Sequence, residues 1–326
     1  MKKDVEEKEE KQIKVSVITT FYNAENFILN AIHSVGQQVL PQNLKVEYVI
    51  VDDKSPDKSR EIVEQYIKSC KNNGIEFKLV EPEQNLGCGG ARKFGIANAS
   101  GDYFMFLDAD DYYIRRDFVK RAVETIIGEN ADIVEYGMVF NQANGTQTQN
   151  CVREKIVVQD PSVAEVLLFK DNAIKFNVWT KIYTRAIVES YPYSEERLFE
   201  DVRTIPVWVS NAKKIVIMPS AEVNYRAASG SIIRDDMIKT RLGTISGIAS
   251  LFERFKNDKR VLKAMYGRAM VDLTAMLNGH SSNNKGFNEM SRLNTYMLKY
   301  IYPNTWQNIT YNVEDDPDAS PYREED

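Results

Sequence analysis

The sequence predicts an α/β fold, in which a mostly parallel sheet flanked by helices is followed by a C-terminal α-helical region. Two observations indicate this: strand and helix signals alternate from residue 14 to residue 130, and helical periodicity dominates after residue 232. The 326 residues, 43% of them hydrophobic, are enough for one large domain or two smaller ones with a substantial core.

The first half of the chain contains four predicted strands, each followed by a helix or a turn. These strands are apolar runs at residues 14–19, 46–51, 76–80 and 103–107. Apolar spacing predicts a helix over 24–36 and a second one that begins at Pro56 with Ser55 as its N-cap. A glycine-rich turn at 87–90 leads into a third helix, which ends at Ala99. Ligands are expected at the carboxyl ends of the strands.

The second half begins with mixed signals and ends with helices. Strands are predicted at 133–136 and 215–217. Apolar positions then repeat at helical spacing over 238–252, 262–277 and 287–301. We expect these helices to pack on the core; a homo-oligomer contact, a partner or a peripheral contact with a membrane surface is the alternative.

Composition excludes several classes of protein. A net charge of -5 and a pI near 5.4 give no overall electrostatic case for nucleic acid as a partner. Three widely spaced cysteines fit a reducing compartment better than a disulfide framework. We find no run of roughly 20 apolar residues and no signal-peptide core. The sequence therefore predicts a cytoplasmic protein, in which carboxylates carry most of the chemistry because there are only two histidines.

Three carboxylates follow the fourth predicted strand, in the run Asp108-Ala109-Asp110-Asp111. Carboxylates this close repel one another unless solvent or a cation separates them. Oxygen ligands favour Mn²⁺ or Mg²⁺, and these ions commonly complete their coordination shell with substrate phosphates. Taken alone, the run fits a metal site and a polar turn that caps the next helix equally well.

Two more polar clusters follow the first and second strands: Asn23 with Glu25, and Asp52 with Asp53. A parallel sheet brings these strand ends to one edge, beside the Asp108 cluster. Carboxylates there can accept hydrogen bonds from a uracil or a ribose, while a metal neutralises a pyrophosphate. Each cluster alone has a simpler interpretation as a helix cap or a turn.

The turn from Asn85 to Arg92, which contains Gly87, suits an anionic phosphate. It offers backbone N–H groups, a helix N-terminus and one guanidinium. It is not a dinucleotide fingerprint, because it follows the third strand and lacks the G-x-G-x-x-G spacing, and no Walker A sequence occurs.

Five segments, in order and spacing, resemble the signature of family-2 glycosyltransferases with the GT-A fold. They are residues 15–25, 51–57, 85–87, 91–96 and 107–111, and the resemblance covers 14–231. Thr20 stands where the family usually has proline, and Lys54 where it usually has glycine. Lys54, next to Asp53, either alters the nucleotide pocket or lies outward in solvent.

The resemblance implies a UDP-sugar donor and assigns residues to it. Thr20, Tyr22, Glu25 and Asp53 would line the uracil and ribose site, and Arg92 would lie near the donor.

The resemblance also implies a metal site and a catalytic base. Asp108 and Asp110 match the D-x-D motif, in which the second Asp binds Mn²⁺ or Mg²⁺ and the first supports the metal or the ribose. Glu200 and Asp201 look like the E-D segment, whose Asp serves as general base. Residues 179–181 resemble the W-N-K segment, and residues 226–231 resemble the basic, serine-ending loop, in which Arg226 and Ser231 would contact the donor.

The implied reaction moves a monosaccharide to an acceptor hydroxyl with inversion, the acceptor being a cell-surface polysaccharide, a lipid-linked glycan or a protein. Two other classes remain open. A sugar-1-phosphate nucleotidyltransferase should carry a basic, glycine-rich loop after its first strand. Residues 20–23, which follow the first strand of this chain, contain neither a glycine nor a basic side chain. A non-catalytic nucleotide-sugar-binding scaffold would keep the donor pocket and could lose the base.

These patterns divide the chain into five segments. We expect a charged flexible leader at 1–13, a nucleotide-sugar-binding half at 14–130 and an acceptor-binding half at 131–231. A helical region at 232–312 and an acidic disordered tail at 313–326 follow. The expected location is the cytoplasm, either free in it or at the inner face of the membrane.

Overall fold

The computed structural model describes residues 12–71, 74–141, 146–170, 173–226 and 237–279. Its strands are β1 (Ile13–Phe21), β2 (Leu44–Asp52), β3 (Ile75–Val80), β4 (Tyr103–Phe106), β5 (Tyr112–Tyr113), β6 (Ile133–Asn141), β7 (Gln147–Asn150), β8 (Ile156–Val158), β9 (Lys181–Thr184) and β10 (Ile215–Arg226). Its helices are α1 (Ile28–Gly36), α2 (Ser59–Ser69), α3 (Gly87–Ala97), α4 (Phe118–Gly128), α5 (Pro161–Phe169), α6 (Arg185–Ser190), α7 (Glu200–Asn211), α8 (Met237–Ser250), α9 (Phe252–Phe255) and α10 (Lys259–Gly279). A short 3-10 turn, Val178–Thr180, precedes β9.

All the strands just named belong to one sheet. Eight of them follow one another in the order β3-β2-β1-β4-β9-β6-β10-β5, while β7 pairs with β6 and β8 with β10. The strands β1 to β4 pair in parallel, whereas β9 is antiparallel to both β4 and β6. The α/β prediction is confirmed, with a parallel sheet at the N-terminal side and mixed pairing beyond β4.

The parallel strands are apolar on both faces because helices cover both sides of the sheet. Val15, Val17 and Val49 are fully buried. Phe21 at the end of β1 pairs with Asp52 at the end of β2, and β4 ends beside Ile18. The carboxyl ends of β1, β2 and β4 therefore reach the same edge of the sheet.

Two predicted helix starts are wrong. The first helix begins at Ile28, because the Ala24 carbonyl accepts from the Phe27 and Ile28 amides and forms a turn ahead of it. The second begins at Ser59, whose amide donates to Asp57 Oδ1 at 3.0 Å. Ser55 does not cap that helix; its hydroxyl instead accepts from the Asn23 amide at 2.9 Å and ties the ends of β1 and β2 together.

The first two predicted C-terminal helices are present as α8 and α10. Both carry buried apolar side chains, and they pack against α5 and α7. These side chains include Ile245, Ile248, Leu262 and Met265. The predicted helix at 287–301, the leader up to residue 11 and the acidic tail lie outside the described residues. Within the described part of the chain, none of the helices has the length and apolar character that crossing a membrane requires.

Candidate active site

A cavity of about 580 Å³ opens at the edge where β1, β2 and β4 end. Its walls come from those strand ends, the start of α3, the turn before β9, the start of α7 and the end of β10. Most of the predicted site residues line it, namely Thr20, Tyr22, Asp53, Gly87, Arg92, Asp108, Asp110, Glu200 and Asp201. Strand register thus brings together residues that are as many as 181 positions apart in the sequence, from position 20 to position 201.

Two predicted donor residues do not line this cavity. Asp52 is buried, and its carboxylate accepts from the Ser55 amide at 2.8 Å and from Arg60 at 3.1 Å, so it stabilises the turn after β2. Neighbouring residues of a strand point to opposite faces, so Asp52 and Asp53 cannot both face the cavity. Glu25 accepts from the Lys58 amide at 3.2 Å and lines a separate cavity between α1 and α2.

The two residues predicted in the serine-ending loop also lie elsewhere. Arg226 lines a neighbouring cavity, its guanidinium lies 5.2 Å from the centre of the Phe27 ring, and its amide donates to Asp111. Ser231 falls outside the described residues.

Asp53 organises the glycine turn from beneath. Its two carboxylate oxygens accept from the amides of Leu86 at 2.7 Å and Gly87 at 2.9 Å. Gly87 has a φ of +74°, a conformation that costs other residues energy. Burial raises the pKa of Asp53 above its ordinary value despite the two hydrogen bonds. Lys54 turns away from the cavity and pairs with Glu81 at 3.1 Å, so the outward alternative holds for this side chain.

The three carboxylates after β4 form a compact cluster. Asp108, Asp110 and Asp111 each offer an oxygen within 4.8 Å of the others. Burial, and to a smaller extent the charge of Asp108, raises the pKa of Asp110 to about 6. Burial and the charges of Asp110 and Asp108 raise the pKa of Asp111 well above its ordinary value. Asp111 Oδ2 is buried and has no hydrogen-bond partner among the described residues. Carboxylates that repel one another in this way, with one oxygen unsatisfied, fit a hard divalent cation.

Arg92 connects this cluster to the start of α7. Its buried guanidinium donates to Asp108 at 2.5 Å and, through its other terminal nitrogen, to the buried carboxylate of Glu200. The guanidinium of Arg92 therefore fixes the separation between Asp108 at one end of the cavity and Glu200 at the other. The planar fork of arginine can bridge two carboxylates in this way, and a lysine cannot.

Asp201 follows Glu200 in the first turn of α7 but has different partners. Its Oδ1 accepts from the Val202 amide at 2.8 Å, and no ion pair with it is found among the described residues. Burial, followed by the charge of Glu200, raises the pKa of Asp201 to about 7. A carboxylate with a pKa near neutrality suits proton transfer at physiological pH. Phe199, just before this turn, has a left-handed backbone with φ of 60°, a strained state that is often found at functional sites.

Sequence reasoning assigned no role in the site to Trp179, Arg197 and Tyr225, which also line the cavity. Tyr225 and Trp179 stack with their ring planes 6° apart, at 5.4 Å between centroids. Arg197 donates to the side chain of Asn85 at 2.9 Å and to its carbonyl at 3.1 Å, which joins the approach to α7 with the glycine turn. Trp179 is signalled by the W-N-K resemblance, but Arg197 and Tyr225 lie in no motif that we recognised.

A buried lysine holds the turn that carries Trp179 and Asn177. Lys181 Nζ lies 3.2 Å from Glu135 Oε2, and both side chains are fully buried. Lys181 Nζ also donates to the carbonyls of Lys175 and Asn177 at 2.6 and 2.7 Å. Burial lowers the pKa of Lys181 to about 8. Because two carbonyls of this turn depend on one ammonium group, Lys181 sets the position of the cavity wall.

The family model described as "Glycosyl transferase family 2" matches residues 16–189 of the chain. GlyA of Streptococcus pneumoniae is 27% identical over 229 residues, which are 68% of this chain and 32% of GlyA. EpsH of Bacillus subtilis, a putative glycosyltransferase, is 28% identical over 183 residues, or 55% of this chain and 49% of EpsH. The chain thus spans about a third to a half of these two relatives.

Two solved structures are similar in fold. TarS 1-349 of S. aureus, in complex with UDP-GlcNAc, superposes with a TM-score of 0.66 at 19% identity and covers 89% of this chain and 82% of that one. The mannosyltransferase PcManGT of Pyrobaculum calidifontis, in complex with GDP-Man and Mn²⁺, gives a TM-score of 0.54 at 16% identity, with 91% and 88% covered.

Proposed function

Because this chain belongs to glycosyl transferase family 2, we propose that it moves a monosaccharide from a UDP-sugar to an acceptor hydroxyl. The observation that carries the proposal is the single cavity on which Asp108, Asp110, Arg92 and Asp201 converge. The UDP and UDP-GlcNAc complexes of TarS support UDP as the nucleotide. A role in cell-surface polysaccharide or glycoconjugate synthesis is supported by TuaG of Bacillus subtilis, a putative teichuronic acid biosynthesis glycosyltransferase, which is 34% identical over 132 residues.

Asp108 and Asp110 are the proposed ligands of Mn²⁺ or Mg²⁺. Asp111, which shares the cluster and accepts from the Arg226 amide, supports the loop behind them. When bound, the ion would act as a Lewis acid for the charge that develops on the departing diphosphate. The fit of three crowded carboxylates to a hard cation supports this assignment, as does the Mn²⁺ in the PcManGT complex.

Asp201 is the proposed general base. As the acceptor oxygen forms its bond to the anomeric carbon, Asp201 takes the hydroxyl proton, and the bond from that carbon to the diphosphate oxygen breaks on the opposite side. This displacement inverts the anomeric configuration. Arg92 orients both ends of the reaction, because it bonds to Asp108 on the leaving-group side and to Glu200 beside the base.

The experiment that tests this function is a thermal-shift screen of nucleotides and UDP-sugars in the presence of Mn²⁺, followed by product analysis. A ligand at about 100 times its Kd should stabilise the folded chain by about 2.7 kcal/mol. We expect preferential stabilisation by UDP and transfer from one UDP-sugar. Equal stabilisation by unrelated nucleotides would contradict the proposal, and tight binding without turnover on any acceptor would instead indicate a non-catalytic scaffold.

A further inference from the structure

A second cavity, of about 370 Å³, lies between α1 and the segment that follows the carboxylate cluster. Arg115, Arg116, Arg226 and His33 all line it. Of the described residues in its wall, none carries a carboxylate. Three guanidinium groups around one small cavity create a positive potential that favours an anion, and the planar fork of arginine matches phosphate oxygens.

Arg226 interacts with the charges of Asp110 and Asp111, but little negative charge is available to neutralise Arg115 and Arg116. Arg115 Nε lies 3.9 Å from Oε2 of the buried Glu222. The other carboxylate oxygen of Glu222, Oε1, is paired with Arg121 at 2.7 Å. Arg116 is exposed and forms no ion pair with another residue in the described ranges. The neighbouring carboxylate of Asp117 lies 4.0 Å from Arg121. Arg115 and Arg116 therefore offer most of their charge to a ligand from solution.

Large aliphatic side chains surround the same arginines and point into water. Val39 is 63% exposed, and its amide donates to the Arg116 carbonyl at 2.7 Å. Ile114, which precedes Arg115, is 41% exposed. Leu29, 50% exposed, lies one helical turn before His33 on the same side of α1. We call Val39, Ile114, Arg115 and Arg116 the arginine face.

We propose that the arginine face docks the protein on a membrane that contains anionic phospholipids. The cavity would hold a lipid phosphate, while Val39 and Ile114 enter the boundary between headgroups and acyl chains. Peripheral membrane proteins combine these two contacts, each basic residue adding attraction to the anionic surface and each apolar side chain adding burial. A soluble phosphorylated ligand would use the arginines but would leave the exposed Val39 and Ile114 without a role.

The position of the arginine face gives docking a consequence. Arg226 lines the second cavity and stacks on Phe27, and Phe27 lines the active-site cavity. Two side chains in contact, Arg226 and Phe27, therefore connect the walls of the two cavities. A protein docked in this way would keep its active site close to the membrane surface, within reach of an acceptor carried on a lipid.

The test is sedimentation of the full chain with vesicles of phosphatidylcholine alone or with about 30% phosphatidylglycerol, the latter supplying the anionic surface. We expect binding to the anionic vesicles only, and loss of that binding at high salt. The double variant Arg115→Glu/Arg116→Glu should bind at least about tenfold more weakly. Val39→Ser/Ile114→Ser, which leaves the charge unchanged, should also weaken binding several-fold.

A matched control carries the same change of charge elsewhere. Lys213→Glu/Lys263→Glu alters two exposed residues, one after α7 and one on α10, and should bind anionic vesicles like the unchanged chain. Arg115→Gln/Arg116→Gln, a milder change, should show intermediate binding. Circular dichroism of every variant checks that the fold is retained.

Three results would overturn the proposal. The original chain could stay in the supernatant with anionic vesicles, or the control and the arginine variants could lose vesicle binding equally. Calorimetry could also show that the original chain binds inorganic phosphate while it does not bind vesicles. The last result would indicate a site for a soluble anion. Vesicle binding is measured without turnover, and transfer to a water-soluble acceptor should be the same in all these variants. Failure of membrane docking is therefore distinguishable from failure of the proposed transferase activity.

Discussion

At the scale of single residues, Glu200 and Asp201 show how two adjacent carboxylates acquire different properties. Glu200 is buried against the guanidinium of Arg92, which balances its charge. Among the described residues, the one hydrogen-bond donor to the Asp201 side chain is the Val202 N–H, and the pKa of Asp201 rises to about 7 because it is buried. A carboxylate whose charge is balanced by arginine is a poor base, which is why we propose Asp201 and not Glu200 for the proton transfer.

Asp201→Asn should therefore lower kcat by about 10²–10⁴-fold, the usual contribution of a general base. UDP affinity should stay within a few-fold of the original, because Asp201 is proposed to act on the acceptor. Steady-state kinetics and titration calorimetry measure the two quantities. Glu196→Gln, an exposed residue on the same segment, is the control and should retain activity. Normal transfer by Asp201→Asn would show that another group takes the proton.

The raised pKa of Asp201 also predicts the pH dependence. Since a base must be ionised to act, kcat/KM should fall about tenfold per pH unit below a pH of about 7. The free energy of unfolding has the opposite pH dependence. Because burial favours the protonated form of Asp201 in the folded state, the contribution of this residue to stability falls as the pH rises towards about 7. Thermal unfolding at pH 8 should then show Asp201→Asn to be more stable than the original chain. A flat rate profile from pH 5 to 8 would contradict the assignment.

At the scale of secondary-structure elements, α8 packs through a glycine against the turn that precedes α7. A Cβ atom on Gly243 would collide with the ring of Phe199, the left-handed residue just before Glu200. One turn later, a Cβ on Gly247 would meet Val202 of α7 at 2.8 Å. Direct packing of α8 therefore holds in place the turn that carries Glu200 and Asp201.

Gly243→Ala should lower both activity and stability, although alanine is the better helix former by about 1 kcal/mol. Forced movement of Phe199 would misplace Asp201, and so kcat should fall at least about tenfold. Gly267→Ala on α10 is the matched control, since nothing lies within 4 Å of its added Cβ; it should stabilise the chain and leave kcat unchanged. Equal behaviour of the two variants in kinetic and thermal assays would refute the packing argument.

The turn before β9 depends in a similar way on Lys181. Lys181→Met should destabilise the fold by about 3 kcal/mol, because Glu135 would stay buried with a weaker partner, Lys175, at 3.6 Å. Lys181→Met/Glu135→Leu removes both charges and should recover part of that loss. Urea unfolding gives both values. A double variant less stable than Lys181→Met alone would mean that Glu135 has another essential role.

At the scale of the whole molecule, the sheet joins the two predicted halves through β9, which pairs with β4 on one side and β6 on the other. Far-ultraviolet circular dichroism reports the secondary structure of the whole chain, whereas tryptophan fluorescence reports Trp179, Trp208 and Trp306, all beyond residue 130. The two signals should change in one coincident transition on unfolding. Separate transitions would show instead that the halves are independent domains.

The sequence determined the α/β class and most of the strand and helix order, because apolar runs and helical periodicity are local properties. It also singled out Asp108, Asp110, Arg92 and Asp201 as candidate site residues, because they lie in segments whose order and spacing resemble a known signature, and all four line one cavity. The first two C-terminal helices were predicted for the same reason, although their packing on α5 and α7 was only one of two interpretations.

Only the tertiary structure decided which of these residues face one another. Asp52 and Asp53 are adjacent and have the same side chain, but strand alternation turns Asp52 towards Arg60 and Asp53 towards the glycine turn. Arg197 and Tyr225 enter the cavity from segments without a recognised motif. Side-chain direction, burial and pKa arise from contacts between residues that are distant in the chain. Local sequence patterns therefore do not predict them.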